Sequence, residues 1–77
     1  MGVRELLQTL AEAVVERPED VNVKQSEEDG AVVLELTVNS EDYGRVIGRE
    51  GRTANAIRTV VKAAARDDRK VFVDIVE

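Results

Sequence analysis

Val3, Leu6, Leu7, Leu10 and Val14 fall at the spacing that lines one face of an α-helix, with Glu5, Gln8, Glu12 and Glu16 on the other faces. This pattern predicts an amphipathic first helix. Pro18 is expected to stop it, because the ring cannot continue the turn and disfavours helical backbone at Arg17. The period then changes. Val21 and Val23 alternate with Asn22 and Lys24, and Glu27, Glu28, Asp29 and Gly30 supply turn chemistry, Gly30 being free to take a positive φ. Val32, Leu34, Leu36 and Val38 then share one face of a second strand, while Val33, Glu35 and Thr37 share the other. A hairpin is the economical reading.

Asn39 or Ser40 is a natural N-cap, with Glu41 and Asp42 in the first turn of a short helix to about Ile47. Gly48 and Gly51 bracket Arg49 and Glu50. A longer helix follows, with Ala54, Ile57, Val61 and Ala64 on one face, Val60 beside them, and Arg58, Lys62 and Arg66 in a separate stripe. Residues 71–76 are β-branched-rich and read as a last strand. The expected order is α-β-β-α-α-β, one α+β domain over residues 1–77. If Val71, Val73 and Ile75 face the helices, Phe72 and Val76 point to the other side of the sheet near Val33. That apolar patch is a candidate dimer surface, with the sheet edges as a second.

Composition narrows the chemistry. The 77 residues include no cysteine and no histidine, which excludes disulfides, thiolate metal sites and imidazole catalysis. No apolar run approaches the roughly 20 residues of a membrane span, and no signal-peptide pattern opens the chain; a cytoplasmic protein without a membrane partner is expected. The glycines do not fit a P-loop or a dinucleotide-binding spacing. Ser26 and Ser40 have no histidine to activate them, and Glu27, Glu28 and Asp29 read as a solvated turn before a metal site. An enzyme is not expected, nor a cofactor, a metal or a small-molecule substrate.

Charge is segregated. Residues 1–43 carry three basic and eleven acidic side chains; residues 44–70 carry eight basic and three acidic. The cations centre on Gly44-Arg45-Val46-Ile47-Gly48-Arg49-Glu50-Gly51-Arg52, read as helix, tight turn, helix. Gly48 can end the first helix in a left-handed conformation, and Gly51 lets backbone approach another molecule closely. The next helix begins with free N–H groups and a positive dipole end suited to an anion. Arg45, Arg49 and Arg52 can fork onto phosphate oxygens. One of Val46 and Ile47 is expected in the core and the other lining an apolar groove. Asn55 and Arg58 lie just beyond as further candidates, while Lys62 and Arg66 read as a solvated face.

On this loop and the run through Thr53-Ala54-Asn55-Ala56-Ile57-Arg58-Thr59-Val60-Val61-Lys62, the chain resembles a type II KH domain over essentially its whole length. The resemblance implies a three-stranded mixed sheet with three helices packed on one face. It also implies a Gly-x-x-Gly loop that clamps the backbone of about four nucleotides of single-stranded RNA. Arg45, Val46, Ile47, Gly48, Arg49, Glu50, Gly51, Arg52, Asn55 and Arg58 are then the RNA-binding candidates. Small stand-alone KH proteins of bacteria are described as RNA chaperones that form homodimers or pair with a larger KH-containing protein, with links to cell-wall homeostasis and cell shape. Glu50 departs from loops that carry basic or neutral residues at both central positions, and is expected to lower affinity without abolishing it. Tyr43 and Phe72 are the only aromatics, so base stacking is not expected to drive recognition.

Overall fold

A computed structural model describes residues 2–66 and 69–76. Helix α1 spans Val3–Val14, strand β1 Asn22–Glu28, strand β2 Ala31–Thr37, helix α2 Tyr43–Ile47, helix α3 Arg52–Ala64 and strand β3 Val71–Val76. The order is the expected one. Short 3-10 turns precede β1, α2 and α3.

Helix α1 ends four residues before Pro18. Val15 is already extended, and Pro18 instead opens the 3-10 turn Pro18–Asp20 as its first residue, where its missing N–H costs nothing. The hairpin turn is also tighter than the composition suggested. Glu27 and Glu28 belong to β1, and only Asp29 (φ +50°) and Gly30 (φ +81°) turn. Two positive φ values in a two-residue turn match the right-handed twist of the flanking strands. A side chain at Gly30 would meet nothing within 4 Å, so Gly30→Ala costs only backbone strain. Urea unfolding should show a loss of about 1 kcal/mol; an unchanged midpoint would mean that the turn relaxes freely.

Strand β2 is central, antiparallel to β1 and parallel to β3. Its register puts Val32, Leu34 and Leu36 beside Val71, Val73 and Ile75 on one face. That face meets the helices: Leu7 and Ala11 of α1, Val46 of α2, and Ile57 and Val61 of α3 close the core with Val23 and Val38. Each fully buried Leu or Val contributes about 1.5–3 kcal/mol. Ala64, expected on the core face of α3, is exposed, and Val60 is also largely exposed. The open face of the sheet carries Ser26, Val33 and Phe72 in one row and Lys24, Glu35 and Asp74 in the next. Val33 and Val76 are half-buried there and Phe72 is exposed, as the alternation predicts.

Both sheet edges are partly occupied. The Arg4 Nε donates to the Val23 carbonyl on β1, and the Arg58 Nε donates to the Val73 carbonyl on β3, each at 3.1 Å. An edge carbonyl already holding a guanidinium is a poorer template for another strand.

Candidate nucleic-acid interface

Helix α2 has only five residues, far too few to be stable alone. Two anchors hold it. Val46 is fully buried in the core. Asp42, just before the helix, is 3% exposed; its Oδ1 accepts from the Glu16 N–H and its Oδ2 from the Arg17 N–H, both at 3.1 Å. The carboxylate thus satisfies two backbone donors where the chain leaves α1, and ties that exit to the start of α2. Asn39 caps the intervening 3-10 turn, its side chain accepting from the Glu41 N–H at 2.8 Å. Sequence reasoning placed Asp42 only as an acid near a helix start. No local signal marks it as buried, since its partners lie 25 and 26 residues away.

The loop delivered by α2 is strained in a way that only glycine tolerates. Gly48 has φ +77° and ψ 173°, so it has a positive φ but is not in the left-handed helical conformation expected; this region is essentially restricted to glycine. A Cβ there would sit 2.8 Å from the Thr53 backbone nitrogen. Glu50 (φ +58°, ψ 25°) and Gly51 (φ +77°, ψ 11°) are both left-handed. The Gly51 N–H donates to the Gly48 carbonyl at 3.2 Å and closes the turn. Around Gly51 the space is open, the Asn55 Nδ2 being the nearest heavy atom to a would-be Cβ at 3.9 Å. The loop therefore presents exposed backbone at the N-terminus of α3, where unpaired N–H groups and the helix dipole favour an anion.

The candidate side chains divide. Arg49 is exposed and, among the described residues, makes no ion pair. Arg52 is exposed and lies 3.5 Å from the Glu50 carboxylate, an exposed pair that a phosphate can replace at little cost. Arg45 is engaged elsewhere: its Nη2 donates to Glu16 and its Nε lies 3.7 Å from Asp42. Arg58, besides its bond to Val73, donates to the Asn55 Oδ1 at 3.4 Å. Val46 is buried with no surface left for a ligand, so of the Val46–Ile47 pair it is the core member and Ile47, half-buried, is the one beside the surface. The geometry brings Ile47, Gly48, Arg49, Glu50, Gly51, Arg52 and Asn55 together as one accessible unit. Arg58, tied to the β3 edge, flanks it, as does Arg45, whose pair with Glu16 is exposed like that of Arg52 with Glu50.

A family model described as "KhpA/KhpB, KH domain" matches residues 4–75. The RNA-binding protein KhpA of Clostridium perfringens is 48% identical over 75 residues, covering 96% of this chain and all of that one. The RNA-binding protein KhpA of Clostridium acetobutylicum is 44% identical with the same coverage. Among solved structures, Era in complex with MgGDPNP and a segment of 16S ribosomal RNA superposes with a TM-score of 0.65 at 19% identity. Aquifex aeolicus Era bound to GDP·AlF4− gives a TM-score of 0.60 at 20% identity. The chain spans 30% and 29% of those two Era chains, and at such identity the likeness concerns the fold alone.

Proposed function

This chain belongs to the KhpA/KhpB family of KH domains, and from that premise we propose that it binds single-stranded RNA, gripping the backbone with the loop at residues 48–51. Its α+β fold is that of a type II KH domain. The observation that carries the reading is the loop itself: three residues at positive φ, open space around Gly51, and exposed Arg49 with no carboxylate partner among the described residues. The work of such a clamp is stoichiometric. It captures unpaired segments in the cytoplasm and biases RNA folding as a chaperone does, with no cofactor and no bond made or broken. The names of the KhpA relatives, RNA-binding proteins, support the same ligand class.

Fluorescence anisotropy of short labelled single strands tests it. Wild-type affinity should fall with salt, with a log–log slope of about −0.7 per phosphate neutralised. Arg49→Glu should weaken binding about tenfold and make the slope shallower by about one contact, with an unchanged circular dichroism spectrum. No wild-type binding at low salt would overturn the reading.

A second reading is a protein-interaction module, a homodimer or a heterodimer with a KhpB-like protein, in which RNA contact is weak. The exposed Phe72 beside Val33 on the open sheet face favours it. Sedimentation equilibrium of the chain alone checks the homodimer.

A further inference from the structure

Helix α3 does not end in empty solvent. Thirteen residues at 1.5 Å each put its far end about 20 Å from Gly51. There α3 and the start of β3 border an open cleft of about 330 Å3 lined by Lys62, Arg69, Lys70, Val71 and Phe72. Phe72 is 51% exposed. It is the one exposed aromatic among the described residues, since Tyr43 packs against the core. Lys62 and Lys70 make no ion pair among the described residues, and Arg69 pairs with Glu27 at 3.0 Å. Asp67 and Asp68 follow in the sequence, yet residues 62–70 still hold four cations against two acids.

The surroundings choose between occupants. An exposed phenyl ring alone is unremarkable in a soluble protein. On the α3 side of the ring an apolar protein face would take the Lys62 and Lys70 ammonium groups out of water, which is costly; the Glu28 and Asp29 carboxylates border the ring on its other side, with Val33. A nucleotide supplies both halves, a π face for the ring and a phosphate for the cations. The cleft is also joined to the loop. Asn55 stands next to Gly51, Arg58 bonds Asn55 and the β3 edge, and Lys62 follows Arg58 by one turn of α3. Polar and cationic groups thus run unbroken from the clamp to Phe72.

We infer that the cleft at Phe72 is a second nucleotide subsite, in which the phenyl ring stacks on a base and Lys62 and Lys70 hold the adjoining phosphates. It rests on the reading that residues 48–51 clamp RNA, and it extends the bound strand beyond the about four nucleotides of the loop. The scarcity of aromatics argued against stacking; what counts is that the one exposed ring among the described residues has Lys62, Arg69 and Lys70 on its α3 side, with Glu28 and Asp29 on the other.

The chain has no tryptophan, so Phe72→Trp places a lone reporter in the cleft. A single-stranded decanucleotide should quench its emission and a tetranucleotide should not. Phe72→Ala should weaken decanucleotide binding about tenfold, within the range of base–aromatic stacking, and leave tetranucleotide binding unchanged. Lys62→Gln with Lys70→Gln should make the salt slope shallower for the decanucleotide only. Equal losses for both lengths, or an unquenched indole with the decanucleotide bound, overturn the subsite and leave the clamp standing. Emission that follows protein concentration and ignores RNA assigns the face to a second copy and also overturns the subsite. Failure of wild type to bind either oligonucleotide overturns subsite and clamp together.

Discussion

Asp42→Ala is expected to lower the free energy of unfolding by about 2–4 kcal/mol, from two lost hydrogen bonds and the donors left without an acceptor. The Glu16 and Arg17 N–H groups both point at this carboxylate, and neither lies within a helix or strand that offers a substitute carbonyl. Arg45 loses one of its two acidic neighbours at the same time. Asp42→Asn keeps one acceptor oxygen but turns an amide towards the second donor, so roughly half the loss is expected. Urea unfolding of the three proteins measures both steps. The loss should also reach the loop, because α2 depends on this anchor and on Val46 for its place. RNA affinity of Asp42→Ala should therefore fall under conditions where circular dichroism still reports a folded chain. An unchanged urea midpoint would show that the Glu16 and Arg17 amides find water as readily as the carboxylate.

Gly48→Ala is expected to cost about 3 kcal/mol and to abolish the loop geometry. Two effects add. The backbone at φ +77°, ψ 173° costs a residue with a Cβ about 1–3 kcal/mol. The new methyl also collides with the Thr53 Oγ1 and sits 2.8 Å from the Thr53 backbone nitrogen; the hydroxyl can rotate away, whereas the nitrogen is fixed in the first turn of α3. Relieving that contact moves the loop off the helix start, so RNA binding should be lost with the stability. Gly51→Ala separates the two effects. Its φ is also +77° but a Cβ meets nothing closer than 3.9 Å, so about 1 kcal/mol of backbone strain is expected. RNA affinity should still drop, because the methyl fills space through which the clamped backbone would pass. Thermal unfolding compares the stabilities and anisotropy the affinities. Equal stability losses in the two variants would show that the Gly48–Thr53 contact yields without strain.

Three of the four loop residues, Gly48, Glu50 and Gly51, take positive φ, and the loop follows a helix of only five residues. Its rigidity is imported from the buried carboxylate behind it and from the α3 turn in front. The arginines nearest in sequence differ in their partners: Arg58 bonds the β3 edge, Arg45 makes an exposed pair with Glu16 and Arg52 lies beside Glu50, so on the proposed reading Arg49, with no ion pair among the described residues, would be the foremost phosphate ligand.

The long periodic segments were legible in the sequence. Spacing of 3 and 4 residues exposed α1 and α3, alternation exposed β2, a β-branched-rich run exposed β3, and two glycines beside a cation cluster marked the loop, because each is a local pattern. Where a pattern met its neighbours, sequence was not enough. Periodicity names a face but not how closely the opposing layer packs on it, so Ala64 lies on the apolar stripe of α3 and is still exposed, lining an open cleft beside Val32 and Val71. A five-residue helix is too short to show a period, so the choice between Val46 and Ile47 awaited the packing of α2. Helix α1 stops at Val14 and not at Pro18, because the chain there turns to present two N–H groups to Asp42. That carboxylate, the guanidinium ties at both sheet edges and the gathering of Phe72 with Lys62 and Lys70 join residues far apart in the chain. Only the folded chain decides them, since burial and charge pairing depend on distance in space, which the order of residues does not record.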